Sequence, residues 1–217
     1  MTDPIPAPLP DQTQLLEQLR REGQQGLAHY FEQLRARLAR IVAFRLDRRL
    51  SGRVSESDVV QEAYVRAAKR LDNYLSQPEP PPLFVWLRME LQQQLIDTHR
   101  AHLATEKRDV RKEIGMFGFA DPNETSRAMA YELSAQMTSP SRLLRRAEQL
   151  AWLETTLNQM NDLDREVIAL RHFEELSNEE TAQVLQISPD AASKRYLRAL
   201  KRLKEISAAS NPGDSVQ

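Results

Sequence analysis

Hydrophobic positions recur along this chain at spacings of three and four residues, the period of an α-helix with one buried face. The longest run covers residues 27–50, "LAHYFEQLRARLARIVAFRLDRRL", and ends at the break "SGRVSES". Ser55 can cap the helix that follows, "DVVQEAYVRAAKRLDNYL". The apolar stripe of this helix consists of Val59, Ala63, Tyr64, Ala67 and Leu71. Its outward-facing residues are Asp58, Gln61, Glu62 and Arg66.

A proline-rich segment, "SQPEPPP", interrupts the helices at residues 76–82 because proline lacks an amide donor and restricts the preceding residue. Helical spacing resumes in "LFVWLRMELQQQLIDTHRAHL". Its core candidates are Phe84, Trp86, Leu87, Leu91 and Leu95. At the other end, residues 1–10 are punctuated by proline and predicted to be disordered, and Asp11 can cap a short amphipathic helix.

Residues 104–138 mix charges, glycine, proline and methionine without a sustained period, which predicts an interdomain linker. Ser139 and Pro140 are suited to restart a helix as its N-cap and first residue, running to about Met160. The stretch "DLDREVIALRHFEEL" predicts one more helix.

Two short helices close the chain. Ser177 and Glu180 have the spacing of a capping box for "NEETAQVLQI", and Ser188 with Pro189 can open the last helix. The tail after residue 206 is predicted to fray.

Composition supports a helical protein. The chain has 217 residues, 41% hydrophobic and 28% charged, which suits one or two compact domains. There are only 6 glycines and aromatic residues make up 6%, which favours helices over strands. We therefore predict an all-α fold with two helical domains joined by a flexible linker.

The net charge and the absence of cysteine limit the classes of function that fit the chain. Thirty basic and 31 acidic residues give a net charge of -1, so nucleic-acid binding would depend on local patches. No cysteine is present, which excludes disulfides and thiolate metal sites and is compatible with a reducing compartment. The N-terminus has no basic and apolar leader, and no window approaches 18 apolar residues. We expect a cytoplasmic protein without membrane insertion.

Residues 186–204 carry a concentrated positive charge, in which Asp190 is the single acidic residue beside Lys194, Arg195, Arg198, Lys201, Arg202 and Lys204. Two short helices joined by a tight break are typical of a helix-turn-helix, whose second helix enters the major groove. Residues predicted to pack inward are Ala192, Tyr196, Ala199, Leu200 and Leu203. Those predicted to face outward are Ser193, Lys194, Arg195, Leu197, Arg198, Lys201 and Arg202. The alternative is a solvated basic face on an ordinary surface helix.

Three stretches, "SDVVQEAYVRAAKRL", "FVWLRMELQQQLIDTHR" and "DREVIALRHFEELSNEETAQVLQISPDAASKRYLRALKRL", together resemble the two domains of extracytoplasmic-function (ECF) sigma factors of bacterial RNA polymerase. The resemblance covers about residues 27–103 and 143–206. It implies these segments: an N-terminal extension (1–26), a region 2-like domain (27–103), a linker (104–138), a region 4-like domain (139–206) and a disordered tail (207–217).

The resemblance also implies partners and site residues. The partners are core RNA polymerase, through its β′ clamp helices and β flap, promoter DNA, and a regulator such as an anti-sigma factor. The residues implied to bind core polymerase are Asp58, Gln61, Glu62 and Arg66. Those implied at the -10 element are Asn73, Tyr74, Ser76, Gln77, Trp86, Arg88, Gln93 and Arg100. Those implied at the -35 element are Ser193, Lys194, Arg195, Leu197, Arg198 and Lys201.

An unpaired -10 base needs a stacking surface and hydrogen-bonding edges, which the proline-rich loop offers through Asn73, Tyr74, Ser76 and Gln77. The alternative is that Tyr74 belongs to the core and that the prolines are a spacer. His99 and His102, together with Arg88 and Arg100, are further candidates for the phosphate backbone, or else solvated surface groups.

Two positions depart from the family pattern. Gln93 stands where Asn is frequent, which puts the -10 preference in doubt. Gln186 stands where Gly is frequent in the helix-turn-helix break, which indicates a turn without a positive φ at that position.

Other classes fit less of the chain. His99 and His102 lack a convincing further ligand set, so we predict neither a metal nor a cofactor. No phosphate-cradling glycine loop and no catalytic triad spacing favour an enzyme. A stand-alone dimeric helix-turn-helix regulator would explain the C-terminal helices alone, and a structural adaptor only the acidic helix.

Overall fold

The computed structural model describes residues 11–50, 52–103, 122–137 and 143–209. Within these ranges the chain forms nine α-helices and no β-strand, which confirms the predicted all-α fold. None of the helices in these ranges is long and apolar enough to cross a membrane. The chain divides into two compact units, Met1–Leu46 with Leu50–Thr98, and Asp47–Arg49 with His99–Gln217.

The first unit is built from four helices. They are α1 (Gln12–Glu22), α2 (Gln24–Arg45), α3 (Glu56–Leu75) and α4 (Leu83–Leu103), the last of which continues past the division after Thr98. Its core takes one apolar stripe from each of the first three helices, with Leu15, Leu38 and Ala67 among the buried residues. The first turns of α4 differ, because every residue from Leu83 to Arg88 is buried. A helix buried on all sides needs apolar residues around its whole circumference, as "LFVWL" provides.

Local sequence signals set the ends of these helices. The side chain of Asp11 accepts a hydrogen bond from the amide of Thr13, and Ser55 accepts one from Ser57 at the start of α3, as predicted. Gly23 separates α1 from α2 with φ 57 and ψ -128, a conformation that suits glycine because it has no Cβ. The predicted single helix over 27–50 is in fact α2 followed by a short 3-10 turn, Arg48–Leu50.

The second unit contains the other five helices. They are α5 (Pro122–Met137), α6 (Leu143–Asn158), α7 (Asp162–Ile168), α8 (Asn178–Leu185) and α9 (Pro189–Ala209), and α7 continues into a π-helical turn, Ala169–Phe173. Its core includes Leu157, Val167, Leu170, Leu185 and Ala199.

Helix α5 lies inside the interval 104–138, which the sequence pattern predicts to be a linker with no sustained helix. Met129 and Ala130 of α5 are fully buried, and the helix packs against α6. The apolar face of α5 is short and interrupted by polar residues, so its periodicity is weak and tertiary contacts stabilise it. Residues 104–121 and the predicted cap at Ser139 and Pro140 lie outside the described ranges. Helix α9 also extends to Ala209, beyond the predicted end of the domain at 206.

Candidate functional site

A capped helix, a tight turn and a long basic helix form the C-terminal site. The Ser177 side chain accepts from the amide of Glu180 at 3.1 Å, and the Glu180 carboxylate accepts from the amide of Ser177 at 2.8 Å. The predicted capping box is therefore confirmed. Ser188 accepts from the amide of Ala191 at 3.2 Å and so opens α9. Asn178 joins the two starts, because its amide donates to the Pro189 carbonyl at 2.8 Å.

The turn itself corrects one expectation. Gln186 has φ 55 and ψ 42, so a positive φ is present where the sequence predicted none. The α8 helix ends in the left-handed conformation, and the amide of Gln186 bonds back to the last turn of the helix. The geometry of the turn, rather than the residue type, requires this conformation, and a glutamine adopts it at a cost.

Helix α9 buries a narrower stripe than predicted. Ala192, Ala199 and Ile206 are buried, and these positions follow one another at seven-residue intervals along one line of the helix. Tyr196 and Leu203 are half-buried, as a flanking row should be. Leu200, predicted to pack inward, is instead 38% exposed because it lies about a quarter turn away from that line.

The outer face of α9 is basic with one apolar residue in its middle. The exposed residues on this face are Ser193, Lys194, Leu197, Arg198, Lys201, Arg202 and Lys204. Leu197 has 65% of its surface exposed. Lys194 pairs with Asp190 at 2.7 Å, but both side chains are exposed and such pairs are weak. The cationic groups of this face are thus accessible to an anionic partner.

Arg195 differs from its neighbours on this helix. Its guanidinium lies 3.0 Å from the Asp164 carboxylate of α7, and only 28% of its side chain is exposed. Asp164 was not predicted, because a residue 31 positions earlier leaves no periodic signal in the sequence. One guanidinium nitrogen of Arg195 is thus engaged inside the domain, so this side chain is less available to an outside partner than its exposed neighbours.

The acidic face of α3 is exposed as predicted at Asp58, Gln61 and Glu62. Gln94 of α4 donates a hydrogen bond to the Glu62 carboxylate. Arg66, in contrast, does not face outward. It turns toward α4.

Arg66 holds α3 and α4 together. It lies 3.2 Å from Glu90, whose side chain is 7% exposed, and 2.9 Å from Asp97. The guanidinium therefore compensates the buried charge of Glu90, which would otherwise be costly. The ion pairs of Arg66 are therefore made with other residues of the first unit.

The residues predicted around the proline-rich loop separate into two groups. The accessible ones are Asn73, Ser76, Gln77, Gln93 and Arg100. The buried ones are Tyr74, Trp86 and Arg88. A base cannot stack directly on a side chain of the second group.

Tyr74 is the clearest correction in this region. It is fully buried, its ring stacks on Trp86 with centroids 4.2 Å apart, and its hydroxyl donates to the Pro81 carbonyl at 2.8 Å. Burial raises the pKa of Tyr74 to about 12. The alternative interpretation, a core tyrosine beneath the loop, is the one that the structure supports.

The two histidines of α4 also differ. His102 is exposed, whereas His99 is buried and its Nε2 lies 3.2 Å from the amide of Asp47. Burial lowers the pKa of His99, and the Arg49 charge lowers it further against the opposing effect of Asp47. Burial alone would raise the pKa of Asp47, but hydrogen bonds and charge from Arg49 lower it overall. A buried neutral His99 is unsuited to a phosphate contact.

Comparison with known proteins relates the C-terminal helix-turn-helix to a described family. The family described as "Sigma-70, region 4" matches residues 150–203, which contain α7, α8 and most of the basic face of α9. This part of the chain is therefore similar to region 4 of sigma-70 factors. A search of curated proteins gave no match.

Solved structures give a likeness over the whole fold. The structure described as CnrH in complex with the cytosolic domain of CnrY has a TM-score of 0.50 and 21% sequence identity to this chain. The alignment covers 91% of this chain and 97% of that chain. At this identity the likeness concerns the all-α fold alone.

Proposed function

We propose that the chain is a sigma factor that binds core RNA polymerase and directs promoter-specific initiation, with α9 on the -35 element and the first unit on the -10 element. The observation that carries the proposal is the exposed basic face of α9, presented by a capped helix-turn-helix inside a region 4 domain. This arrangement suits a helix that lies in the major groove of duplex DNA.

On α9 we assign two kinds of contact. Lys194, Arg198 and Lys201 suit phosphates, which fix the position of the helix on the duplex. Ser193 and Leu197 lie on the same exposed face and suit base edges, with Leu197 against a thymine methyl group. Arg195 joins them as a less available cation, because one of its guanidinium nitrogens is engaged by Asp164.

On the first unit we assign the -10 element to the accessible residues at the proline-rich loop and on α4. Asn73, Ser76 and Gln77 offer hydrogen-bonding edges on the loop, and Gln93 offers them on α4. Arg100, which the resemblance also implies at this element, is exposed later on α4, beyond the division after Thr98. Tyr74 and Trp86 are buried and stack on each other, so we assign them to the support of the loop and not to contact with a base.

For core polymerase we assign Asp58, Gln61 and Glu62, which are exposed near the start of α3. Arg66 acts indirectly by holding α3 against α4. A net charge of -1 fits this division of labour, because the polymerase would supply much of the contact with DNA.

A regulatory protein partner is part of the proposal. CnrH, the structure with a similar fold, is bound to the cytosolic domain of CnrY. By analogy we propose that a protein of the anti-sigma type restrains this chain.

The test is co-migration of the purified protein with core RNA polymerase on size exclusion. We expect the wild type to co-migrate and the triple variant Asp58→Ala, Gln61→Ala, Glu62→Ala to elute alone. The matched control carries Lys69→Ala and Asp72→Ala, two exposed positions later on the same helix, and should co-migrate. Run-off transcription with the wild-type holoenzyme would then map its promoters.

A different result would favour the other class. If no form of the protein binds polymerase while the wild type alone forms a dimer on duplex DNA, the sigma-factor mechanism fails. The chain would then act as a dimeric helix-turn-helix regulator.

A further inference from the structure

Donors from two separate helices meet on one carbonyl of the proline-rich loop. The Pro81 oxygen accepts from the Tyr74 hydroxyl at 2.8 Å and from the Gln12 side-chain amide at 3.2 Å. Tyr74 is at the end of α3, and Gln12 is the first residue of α1. The N-terminal helix therefore contacts the loop that we assign to the -10 element.

Helix α1 packs tightly against the rest of the first unit, so the backbone of Gln12 has a fixed position. Asp11 caps the helix, and Leu15 and Leu19 are at most 2% exposed. Helix α1 packs against both α2 and α3. The backbone of Gln12 is thus already ordered, and only the rotamer freedom of its side chain is lost when it holds the loop.

The loop needs support from outside its own backbone. Pro80, Pro81 and Pro82 have no amide hydrogen, so they cannot donate to a neighbouring carbonyl. A carbonyl has two lone pairs, and the two donors on Pro81 can use both of them.

We propose that Gln12 is a positioning residue that braces the proline-rich loop for engagement of the -10 element. The inference rests on the proposed function of that loop. It assigns to α1, which the family resemblance places in an N-terminal extension, a role in presenting Asn73, Ser76 and Gln77. A loop already held in its binding conformation loses less freedom when a base enters it.

Gln12→Glu is the sharpest variant. It keeps the size of the side chain but replaces the amide donor by a carboxylate that repels the Pro81 oxygen. A negative charge in the first turn favours α1 through the helix dipole, so the variant does not unfold the helix. The matched control is Gln14→Glu, an exposed position in the same turn.

The first readout does not depend on transcription. In a Trp152→Phe background the remaining tryptophan is Trp86, which stacks on Tyr74. Gln12→Glu should increase acrylamide quenching of Trp86 about twofold by loosening the loop above it, whereas Gln14→Glu should leave it unchanged. Tyr74→Phe, which removes the other donor, should act in the same direction.

The second readout separates positioning from stability. On a promoter mapped by run-off transcription, Gln12→Glu holoenzyme should bind core polymerase and form closed complexes like the wild type. Open complexes should fall about threefold to tenfold, the equivalent of one hydrogen bond.

Each other outcome contradicts the brace. Unchanged Trp86 quenching means that Gln12 does not hold the loop. Altered quenching with normal open complexes means that the brace does not serve the -10 element, and an equal loss of closed and open complexes assigns Gln12 to stability alone. If the wild type fails to bind polymerase, the proposed function fails, while Trp86 quenching still decides whether Gln12 braces the loop.

Discussion

Gln186 is the residue on which the turn between α8 and α9 depends. It occupies the left-handed region at φ 55 and ψ 42, where a side chain with a Cβ is strained by about 1–2 kcal/mol. The side chain itself is exposed. The left-handed conformation of Gln186 sets the direction in which the chain continues from α8 into α9.

Replacing Gln186 by glycine should stabilise the domain. We expect Gln186→Gly to raise the free energy of unfolding by about 0.5–1 kcal/mol, because relief of strain exceeds the greater freedom of glycine in the unfolded chain. Urea unfolding measures this. The control Gln183→Gly, exposed inside α8, should lower stability by about 1 kcal/mol. A loss in both variants would show that the turn is not strained.

His99 should make stability depend on pH. Its pKa is lowered in the folded protein by burial, so the unfolded chain binds a proton more readily. Stability is then complete above the unfolded value of about 6.5 and is lost as the pH falls through the lower folded value. His99→Gln, which keeps an acceptor for the amide of Asp47, should flatten the curve as the pH falls below about 6.5. His102→Gln, at an exposed site, should keep the wild-type slope in the same urea titrations.

At the scale of elements, capping residues mark the starts of α8 and α9. Ser177 and Glu180 satisfy each other's amides at the start of α8, and Asn178 then links α8 to α9. The cap thus contributes to the orientation of the basic helix as well as to the stability of α8.

Ser177→Ala should lower the free energy of unfolding by about 1 kcal/mol, because one amide of α8 loses its partner. Ser193→Ala, in the exposed middle of α9, should be neutral or slightly stabilising because alanine favours helices. Thermal and urea unfolding of both variants test the assignment. Equal effects at the two serines would contradict it.

How well the sequence predicts each helix depends on two local signals, the apolar period and the capping residues. Helices α3 and α8 combine a clear apolar period with a serine cap, and both were predicted with their caps. The spacing predicts no sustained helix over α5, because the period there is weak and the helix depends on packing against α6. The spacing also places the end of α2 too late, because the apolar period continues through the turn at Arg48–Leu50.

At the scale of the whole molecule, the numbers of acidic and basic residues are nearly equal, but the charges are unevenly distributed along the chain. The net charge is -1, but the outer face of α9 is basic. Duplex binding by the protein alone should therefore be weak and should fall steeply with salt, as phosphate contacts release counterions.

The salt dependence can assign individual side chains. Lys201→Ala should weaken binding to all duplexes alike and reduce the slope of log affinity against log salt by about 1. Leu197→Ala should leave the slope unchanged and alter the preference between sequences. Lys69→Ala on α3 is the control, and we expect it to keep the wild-type slope. Fluorescence anisotropy across a salt series measures all three, and an unchanged slope for Lys201→Ala would remove it from the interface.

The sequence by itself determined the helical class, the helix-turn-helix and the resemblance to region 4 of sigma-70 factors, because these depend on local spacing, caps and charge along one helix. It placed Asp58, Gln61 and Glu62 on an exposed face for the same reason. Only the tertiary structure decided which polar and aromatic residues are used internally. Arg66 and Arg195 pair with carboxylates on other helices, and Tyr74 stacks under the loop. Such contacts join residues far apart in the chain, and no period or motif within one helix records them.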